Sequence, residues 1–460
     1  MKNYLLSNTP TDCFLYLIGD LLIIFLSLQV WFGGYTTGRR LPWLRTLSWL
    51  VPLYLLLFFV CDLFCVRVCR KPTLLIQRIA AAFSIPFALL LVYSLGRADF
   101  GLLVRFLPPL AMVMLFVLLW RLAAGQLLPL ISSPRRVLIV GHTFNGRKLA
   151  QALKEHKPVG KYRFLGIVES ASDIFSTEVE DDGVEVLGKI GDLPKIVNQY
   201  RPQIMVIALD ERRESFSSEQ FLDYKLKGVK IYDAPDFYEQ LTGKILINRL
   251  RPSWLLFTGG FHRRGMIQKV KRLVDIILSI LLLVLTAPIL LLAAILIRLD
   301  SPGPILFKQE RVGEGEKIFK LYKFRTMRVD AEQGSGPIWT RKNDRRITRV
   351  GRILRQTRID ELPQLINVFK GEMSLVGPRP ERPFFVQQLD MVIPYYKQRL
   401  VVKPGITGWA AVNYRYCATV RESGEKLGYD LFYIKHSSLA LDFFIALKTI
   451  NIILFRKGAL

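Results

Sequence analysis

Apolar residues fill the first quarter of the chain in four long stretches, at approximately 13–31, 47–66, 79–95 and 102–123. Each has about the 20 residues that a helix needs to cross a bilayer, so the pattern predicts four transmembrane helices within residues 1–130. Asp20 and Asp62 fall inside the first two, where carboxylates are tolerated only in the interior of a helix bundle. The first stretch is too long for a cleaved signal peptide, has only Lys2 before it and no small-residue cleavage pattern after it. Arg67, Arg70, Lys71 and Arg78 in the second link, with Arg135 and Arg136 after the fourth stretch, place both ends of the bundle on the cytosolic side by a narrow margin.

From about residue 134 to 260 the pattern becomes that of a soluble α/β domain. Val137-Leu-Ile-Val140 reads as a buried strand, followed by Gly141-His-Thr-Phe-Asn-Gly146 and a helical segment at 147–153. Further strands are predicted at 164–168, 204–209 and 229–232, and strands alternating with helices predict a parallel sheet with crossover helices, a Rossmann-like domain. The glycines stand as Gly-x4-Gly, whereas a dinucleotide fingerprint reads Gly-x-Gly-x2-Gly. The helix start suits an anion, but the spacing favours a regulatory or assembly domain, and no bound organic cofactor is expected.

A fifth apolar run covers 273–297, flanked by Lys269, Lys271, Arg272 and Arg298, with Asp275 near its start and Pro288 past its middle. At about 1.5 Å per residue its length permits a crossing, yet one crossing puts the preceding and following domains, both cytosolic in texture, on opposite faces. Proline removes a helix hydrogen bond and bends the chain. The pattern therefore predicts a re-entrant helix over 271–298 that breaks at Pro288 and returns to the same face. The final domain, 265–460, contains a short basic hairpin (307–313 and 319–325). It ends in an apolar helical segment at 439–455 with Lys435, Lys448, Arg456 and Lys457 around it, which suits either an interfacial helix or packing on the domain core.

Composition narrows the class. The 460 residues carry a net charge of +26, yet 51% are hydrophobic, and mean hydropathy is positive. Nucleic-acid binding explains the charge but not the hydropathy, and the basic segments lack the aromatic interleaving of a single-strand groove. A membrane protein whose soluble parts lie against an anionic leaflet explains both. Cys13, Cys61, Cys65, Cys69 and Cys417 show no disulfide framework; the three spaced by four share a helix face without a histidine and read as small packing residues.

The chemistry is concentrated at Asp360 and Glu361, in the run Arg355-Gln-Thr-Arg358-Ile-Asp360-Glu361-Leu-Pro363-Gln364. Arg345, Arg346, Arg349, Arg352, Arg355 and Arg358 crowd them on the N-terminal side, and Gly377-Pro378-Arg379-Pro380-Glu381 follows. Adjacent acids among guanidinium groups suit the handling of a phosphate ester with a divalent metal. One acid attacks phosphorus while the other holds the metal, and the arginines grip anionic oxygens. On an α-helix such neighbours point about 100° apart, so they take different jobs; which takes which stays open.

Six motifs occur in order: Lys271-Arg-Leu-Val-Asp275, Asp300-Ser-Pro-Gly-Pro304, Lys323-Phe-Arg-Thr-Met327, Asp360-Glu-Leu-Pro-Gln364, Ser374-Leu-Val-Gly-Pro-Arg-Pro380 and Lys403-Pro-Gly-Ile-Thr-Gly408. Together they resemble the bacterial sugar transferase family of monotopic polyprenyl-phosphate hexose-1-phosphate transferases, over 265–460. The four spans and the α/β domain resemble the large members of that family. The resemblance implies transfer of hexose-1-phosphate, glucose or galactose, from a UDP-hexose to undecaprenyl phosphate with release of UMP, at the start of exopolysaccharide or O-antigen synthesis. It implies a covalent phospho-aspartate at Asp360 and Mg²⁺ on Glu361. Substrate phosphate would lie on Arg355 and Arg379, with Lys323, Arg325 and Arg358 as further phosphate contacts, and Pro288 would break the re-entrant helix. The implied location is the bacterial inner membrane with the catalytic domain cytoplasmic, and a homodimer is compatible with the polar residues of the bundle.

After Gly408 the chain departs from the commoner family pattern: Trp409-Ala-Ala-Val-Asn413 carries alanine where many relatives have glutamine, which leaves the hexose open. Two other classes fit parts of the chain. A membrane-bound NAD-dependent sugar-nucleotide dehydratase or epimerase also starts with spans and an α/β domain, but it needs the intact glycine fingerprint and a Tyr-x3-Lys pair, both absent. A non-catalytic polysaccharide-assembly scaffold needs neither the acid pair nor its arginines.

Overall fold

The computed structural model describes residues 10–33, 41–131, 134–155, 161–170, 184–209, 218–247, 259–261, 265–328, 344, 346–414 and 419–455. Arg345, Cys417, Arg456 and Lys457 lie outside them. The chain divides into two compact units, Met1–Gly243 and Lys244–Leu460. The sequence reading placed the boundary some twenty residues later. It moves because Ile245 and Ile247 are buried, Ile245 donates its N–H to the Gly428 carbonyl at 3.0 Å, and Lys244 pairs with Glu425.

In the first unit, helices α1 (Pro10–Gly33), α2 (Leu41–Val60), α4 (Pro72–Arg97) and α5 (Gly101–Ile131) coincide with the four apolar stretches, with a single turn, α3 (Val66–Cys69), between the second and third. Among the described residues of this unit, only Pro72–Arg97 and Phe106–Leu127 are long and apolar enough to cross a membrane; Leu15–Ser27 and Val51–Val60 are shorter. The second predicted stretch stops early because Asp62 adopts φ 60°, a left-handed conformation that ends the helix. Asp20 is buried as expected of a bundle interior. Its carboxylate pairs with Arg121, both fully buried, and the Arg121 guanidinium also donates to the Leu63 carbonyl at 2.7 Å and lies over the Tyr16 ring. Removing either charge strands the other in an apolar surround, so the pair is obligatory once buried.

The rest of this unit is a parallel five-stranded sheet in the order β3-β2-β1-β4-β5. Its strands are β1 (Arg135–Val140), β2 (Tyr162–Glu169), β3 (Val186–Lys189), β4 (Ile204–Ile207) and β5 (Lys230–Asp233). The sequence pattern predicts all but β3, whose Val-Leu-Gly-Lys has no alternation to betray it. Leu138, Val140, Val168, Met205 and Ile207 meet Leu193, Ile196 and Phe221 from the crossover helices α7 (Leu193–Tyr200) and α8 (Ser218–Leu226) in one apolar core. Helix α6 (Phe144–Glu155) follows β1 and α9 (Ala234–Thr242) follows β5.

The second unit opens with α10 (Gly265–Asp300), a 36-residue helix with Pro288 inside it. Both its ends are rooted in the domain that follows. Near the start, Asp275 accepts from the Leu375 N–H at 3.0 Å, and Arg272 donates to the Val368 and Phe369 carbonyls. Near the end, Ala293 and Ile297 pack on Phe324 and Leu354, and Asp300 accepts from the Val350 N–H. Between Ser279 and Ala293 no residue is buried, and Leu282, Val284, Leu285, Ile289, Leu291 and Leu292 stand exposed.

The domain itself holds the antiparallel hairpin β6 (Leu306–Val312) and β7 (Ile318–Phe324), where the sequence predicts one. Next come α11 (Arg349–Thr357), α12 (Leu365–Lys370) and α13 (Pro383–Val392). A parallel pair, β8 (Ser374–Val376) with β9 (Gly405–Thr407), and helices α14 (Trp409–Asn413), α15 (Val420–Lys435) and α16 (Leu439–Leu454) complete it. On α16, Leu441, Ile445 and Leu447 are buried, as packing on the domain core requires, while Phe443, Ile450, Ile453 and Leu454 are exposed.

The docking of residues 244–247 on α15 is testable. A Cβ at Gly428 meets the Ile245 carbonyl oxygen at 2.5 Å. Gly428→Ala is expected to cost about 1–3 kcal/mol by overpacking, read as a lower Tm of the purified protein. An unchanged Tm rules out the tight seat.

Candidate active site

Asp360 and Glu361 sit in a 3-10 helix, Ile359–Gln364, that follows α11 directly. Two features of the sequence place it. Thr348 caps α11 by accepting the Gly351 N–H at 3.0 Å, and Arg358 ends it at φ 61°, a left-handed conformation strained for any residue with a side chain. Gly351 lets α11 approach the backbone of Thr326, where a Cβ would meet the carbonyl oxygen at 2.2 Å. The sequence reading took the acids as α-helical neighbours. In a helix of 3.0 residues per turn they diverge by about 120°, and their surroundings differ accordingly.

Glu361 is gripped by cations. Arg379 donates to both its oxygens, Nη2 to Oε1 at 2.8 Å and Nη1 to Oε2 at 3.5 Å. Lys323 Nζ stands 3.5 Å and Arg358 Nη1 3.7 Å from Oε1. Burial opposes ionisation of Glu361, but Arg379 and Lys323 outweigh it and hold the carboxyl far below the usual range. Asp360 shows the reverse. Burial, then the charge of Glu361, push it up to about 6 against the pull of Lys323, Arg355 and Arg379, and its buried Oδ1 has no hydrogen-bond partner among the described residues. Burial likewise draws the Lys323 ammonium down to about 8, against the attraction of Glu361.

Arg379 is presented by the loop after β8. Gly377 donates to the Thr407 carbonyl and Gly405 to that of Pro378; a Cβ at Gly377 would strike the Lys403 carbonyl oxygen at 2.4 Å. Arg399, buried and paired with Asp430 at 2.8 Å, donates to the Arg379 carbonyl at 2.9 Å. Glu381 closes the loop through Lys426 at 2.6 Å and Arg311 at 3.7 Å. Arg355 donates from Nε to Thr326 Oγ1 at 2.8 Å, and its charge is felt at Asp360.

The structure thus brings Asp360, Glu361, Lys323, Arg355, Arg358 and Arg379 together. Arg325, grouped with them in the sequence reading, is directed elsewhere: it donates to the Pro302 and Ser301 carbonyls at 2.7 and 2.6 Å and fastens the loop after α10. Its neighbour in the motif, Phe324, faces the core. Pro288 lies on the exposed part of α10. The sequence reading missed Arg399, Arg311 and Lys426, each a lone basic residue without a motif-level signal.

Magnesium takes oxygen donors and commonly keeps one or two carboxylates with water and substrate phosphate as its other ligands. Among the described residues no cluster of three or more His, Cys, Asp or Glu exists. The acid pair, with an orphaned buried carboxylate oxygen, fits an ion of that habit if phosphate supplies the remaining donors.

The sequence profile described as Bacterial sugar transferase matches residues 266–456, the whole of this site. A UDP-glucose:undecaprenyl-phosphate glucose-1-phosphate transferase of Xanthomonas campestris pv. campestris is 34% identical over 71% of this chain and 68% of its own length. The chain belongs to the bacterial sugar transferase family. Membership places it among the phosphoglycosyl transferases, with relatives of differing sugar and size. A UDP-N-acetylgalactosamine-undecaprenyl-phosphate N-acetylgalactosaminephosphotransferase of Aeromonas hydrophila is 43% identical over 51% of this chain, a match that spans about half, 54%, of that relative. An exopolysaccharide production protein of Rhizobium leguminosarum bv. phaseoli is 44% identical over 39% of this chain and 93% of its own length.

The opposed environments of the two acids predict a pH-dependent effect on stability. Because folding raises the affinity of Asp360 for a proton, its ionisation weakens the fold as pH rises through about 6. Asp360→Asn removes that cost. In the absence of divalent ions its Tm should exceed that of the wild type above pH 6, and the difference should vanish below the ordinary aspartate range. A difference independent of pH excludes a strained Asp360 charge.

Proposed function

We propose that the chain transfers hexose-1-phosphate from a UDP-hexose to undecaprenyl phosphate, releasing UMP, and so starts a repeat unit of exopolysaccharide or O-antigen. The observation that carries this reading is the contrast between the paired acids: one immobilised by three cations, its neighbour buried with a free oxygen. The Asp360 carboxylate attacks the sugar-bearing phosphorus. The bridging P–O bond breaks, its electron pair leaves with UMP, and an acyl phosphate remains. An oxygen of undecaprenyl phosphate then attacks the same phosphorus, the P–O bond to Asp360 breaks, and the carboxylate is regenerated as the lipid diphosphosugar departs. An ionised carboxylate needs no base for this.

Glu361 would hold the divalent ion, which when bound would supply charge neutralisation to the diphosphate. Arg379, Lys323, Arg355 and Arg358 surround the same point with positive charge and stabilise the anionic oxygens as UMP leaves. Because Arg379 and Lys323 already lean on Glu361, they are held ready with little reorganisation. Two steps allow the soluble donor to leave before the lipid reacts. Glucose and N-acetylgalactosamine, named in the relatives, join galactose as the sugars to examine.

The rooting of both ends of α10 in one domain supports a re-entrant helix bent at Pro288. The unburied part, 280–292, would extend about 20 Å as a straight helix, short of the roughly 30 Å hydrocarbon core. This reading places the catalytic domain on the cytoplasmic face of the inner membrane. The strand order of the first unit's sheet, with Gly141 at φ 111° after β1, supports a Rossmann-like domain, whose proposed role is regulation or assembly.

Purified protein with Mg²⁺, undecaprenyl phosphate and a panel of UDP-sugars is expected to release UMP with at least one sugar, and Asp360→Asn to release none. Without the lipid acceptor, a peptide containing Asp360 should gain the mass of a hexose phosphate. Activity of the Asn variant within a factor of a few of wild type removes Asp360 as nucleophile. For topology, cysteines introduced at the exposed positions Gln151 and Met391 should be labelled from the same face of sealed vesicles. Labelling from opposite faces eliminates the re-entrant helix.

A further inference from the structure

The first turns of α10 carry a polar network that the proposed chemistry does not use. Lys271 and Asp275, four residues apart, share one helix face, and both engage β8. Asp275 Oδ1 accepts from the Leu375 N–H at 3.0 Å. Lys271 Nζ donates to the carbonyl of Val376 at 3.0 Å, to Tyr433 Oη at 3.2 Å and to Asp442 Oδ2 at 2.5 Å. Tyr433 Oη in turn lies 3.1 Å from the same Val376 carbonyl and 2.7 Å from Asp442 Oδ1. A lysine from α10 and a tyrosine from α15 thus converge on one peptide oxygen, and an aspartate from α16 accepts from both of them.

That oxygen stands three residues before Arg379, and the intervening backbone has little freedom. Gly377 is tied to Thr407 and Pro378 to Gly405, Pro378 and Pro380 have fixed φ, and the Arg379 carbonyl is held by Arg399. Displacement at Val376 therefore passes along a stiff segment to the guanidinium that grips Glu361 at 2.8 Å. A network serving only to stabilise the fold has no need to end on this carbonyl. Lys271 and Asp442 would satisfy each other alone.

We propose that Lys271, Tyr433 and Asp442 are positioning residues for the transferase site: they set the register of β8 so that Arg379 meets Glu361, and they tie that register to the seating of α10. This rests on the transferase reading given above. The ligand-side consequence is a loss of turnover on perturbation that acts through Arg379, with the nucleophile itself intact.

The test is a double-mutant cycle in the full-length protein. Tyr433→Phe keeps the ring and removes only the hydroxyl; Lys271→Met is the second, more disruptive probe. With the variant shown folded by its melting transition well above assay temperature, Tyr433→Phe is expected to lower kcat about 10- to 100-fold, the range for lost supporting contacts and ångström-scale misplacement. In an Arg379→Lys background the same change should have almost no further effect, since the group it positions has gone. A merely structural tyrosine predicts a lower Tm with normal turnover, or equal losses in both backgrounds, and either result overturns the proposal. Amide hydrogen exchange adds a readout independent of activity: exchange at the Gly377 and Arg379 amides should quicken in Tyr433→Phe, and unchanged exchange there overturns it. If the wild type releases no UMP from any donor, the transferase reading fails while the exchange measurement still decides whether this network fixes the Arg379 loop.

Discussion

Everything in the catalytic unit depends on an asymmetry between two adjacent carboxylates. Glu361 receives Arg379, Lys323 and Arg358; Asp360, one residue away and equally buried, has an oxygen with no donor. A 3-10 turn makes this possible, because it points consecutive side chains into different surroundings without separating their backbones. The result is one acid whose charge is neutralised in advance and another whose charge is costly until something electrophilic or cationic arrives. Burial alone would raise both, and cations alone would lower both; only the turn, entered through the left-handed Arg358, keeps the environments distinct.

The rest of the domain serves to hold the cations still. Lys323 comes from the hairpin, Arg379 from a loop with glycine where a side chain cannot fit, and Arg358 from the strained junction itself. Behind them stands a second layer of buried charge, in which Arg399 with Asp430 and Glu381 with Lys426 each fix part of the 377–381 backbone. Such pairs add little to stability relative to apolar packing. Their value here is geometric, since bidentate guanidinium contacts define direction as well as distance.

Much of this was legible in the sequence, and the exceptions have physical causes. Apolar runs revealed the long helices and four of the five parallel strands, the central ones buried on both faces, and the pattern of basic and apolar residues revealed the hairpin. Neither signal revealed β3, whose four residues include Gly188 and Lys189 and leave only two apolar positions, nor the break at Asp62, which is a backbone event. The acid pair and Arg379 announced themselves through motif context, whereas Arg399, Arg311 and Lys426 did not: a charge buried by tertiary contacts looks in sequence like any surface charge. Arg325 was misgrouped for the converse reason. Alternation along a strand sends Lys323 and Arg325 to one side, but β7 ends at Phe324, and past its end Arg325 turns to the loop that follows α10. The domain boundary moved because Ile245 and Ile247 are apolar residues of a linker, and only their burial assigns them to the later unit.

The long helix α10 has no buried residue from 280 to 292, and all of those side chains but Thr286 are apolar. On the re-entrant reading proposed above, a body anchored through this segment would be confined to a surface, with its height and tilt fixed by two attachment points instead of one. Its encounters with any molecule sharing that surface become a search in two dimensions, in which the target's distance from the plane no longer varies. A phosphate at that boundary would then be met at an orientation and depth settled when the protein folded, and the anchor would act less as a tether than as a gauge.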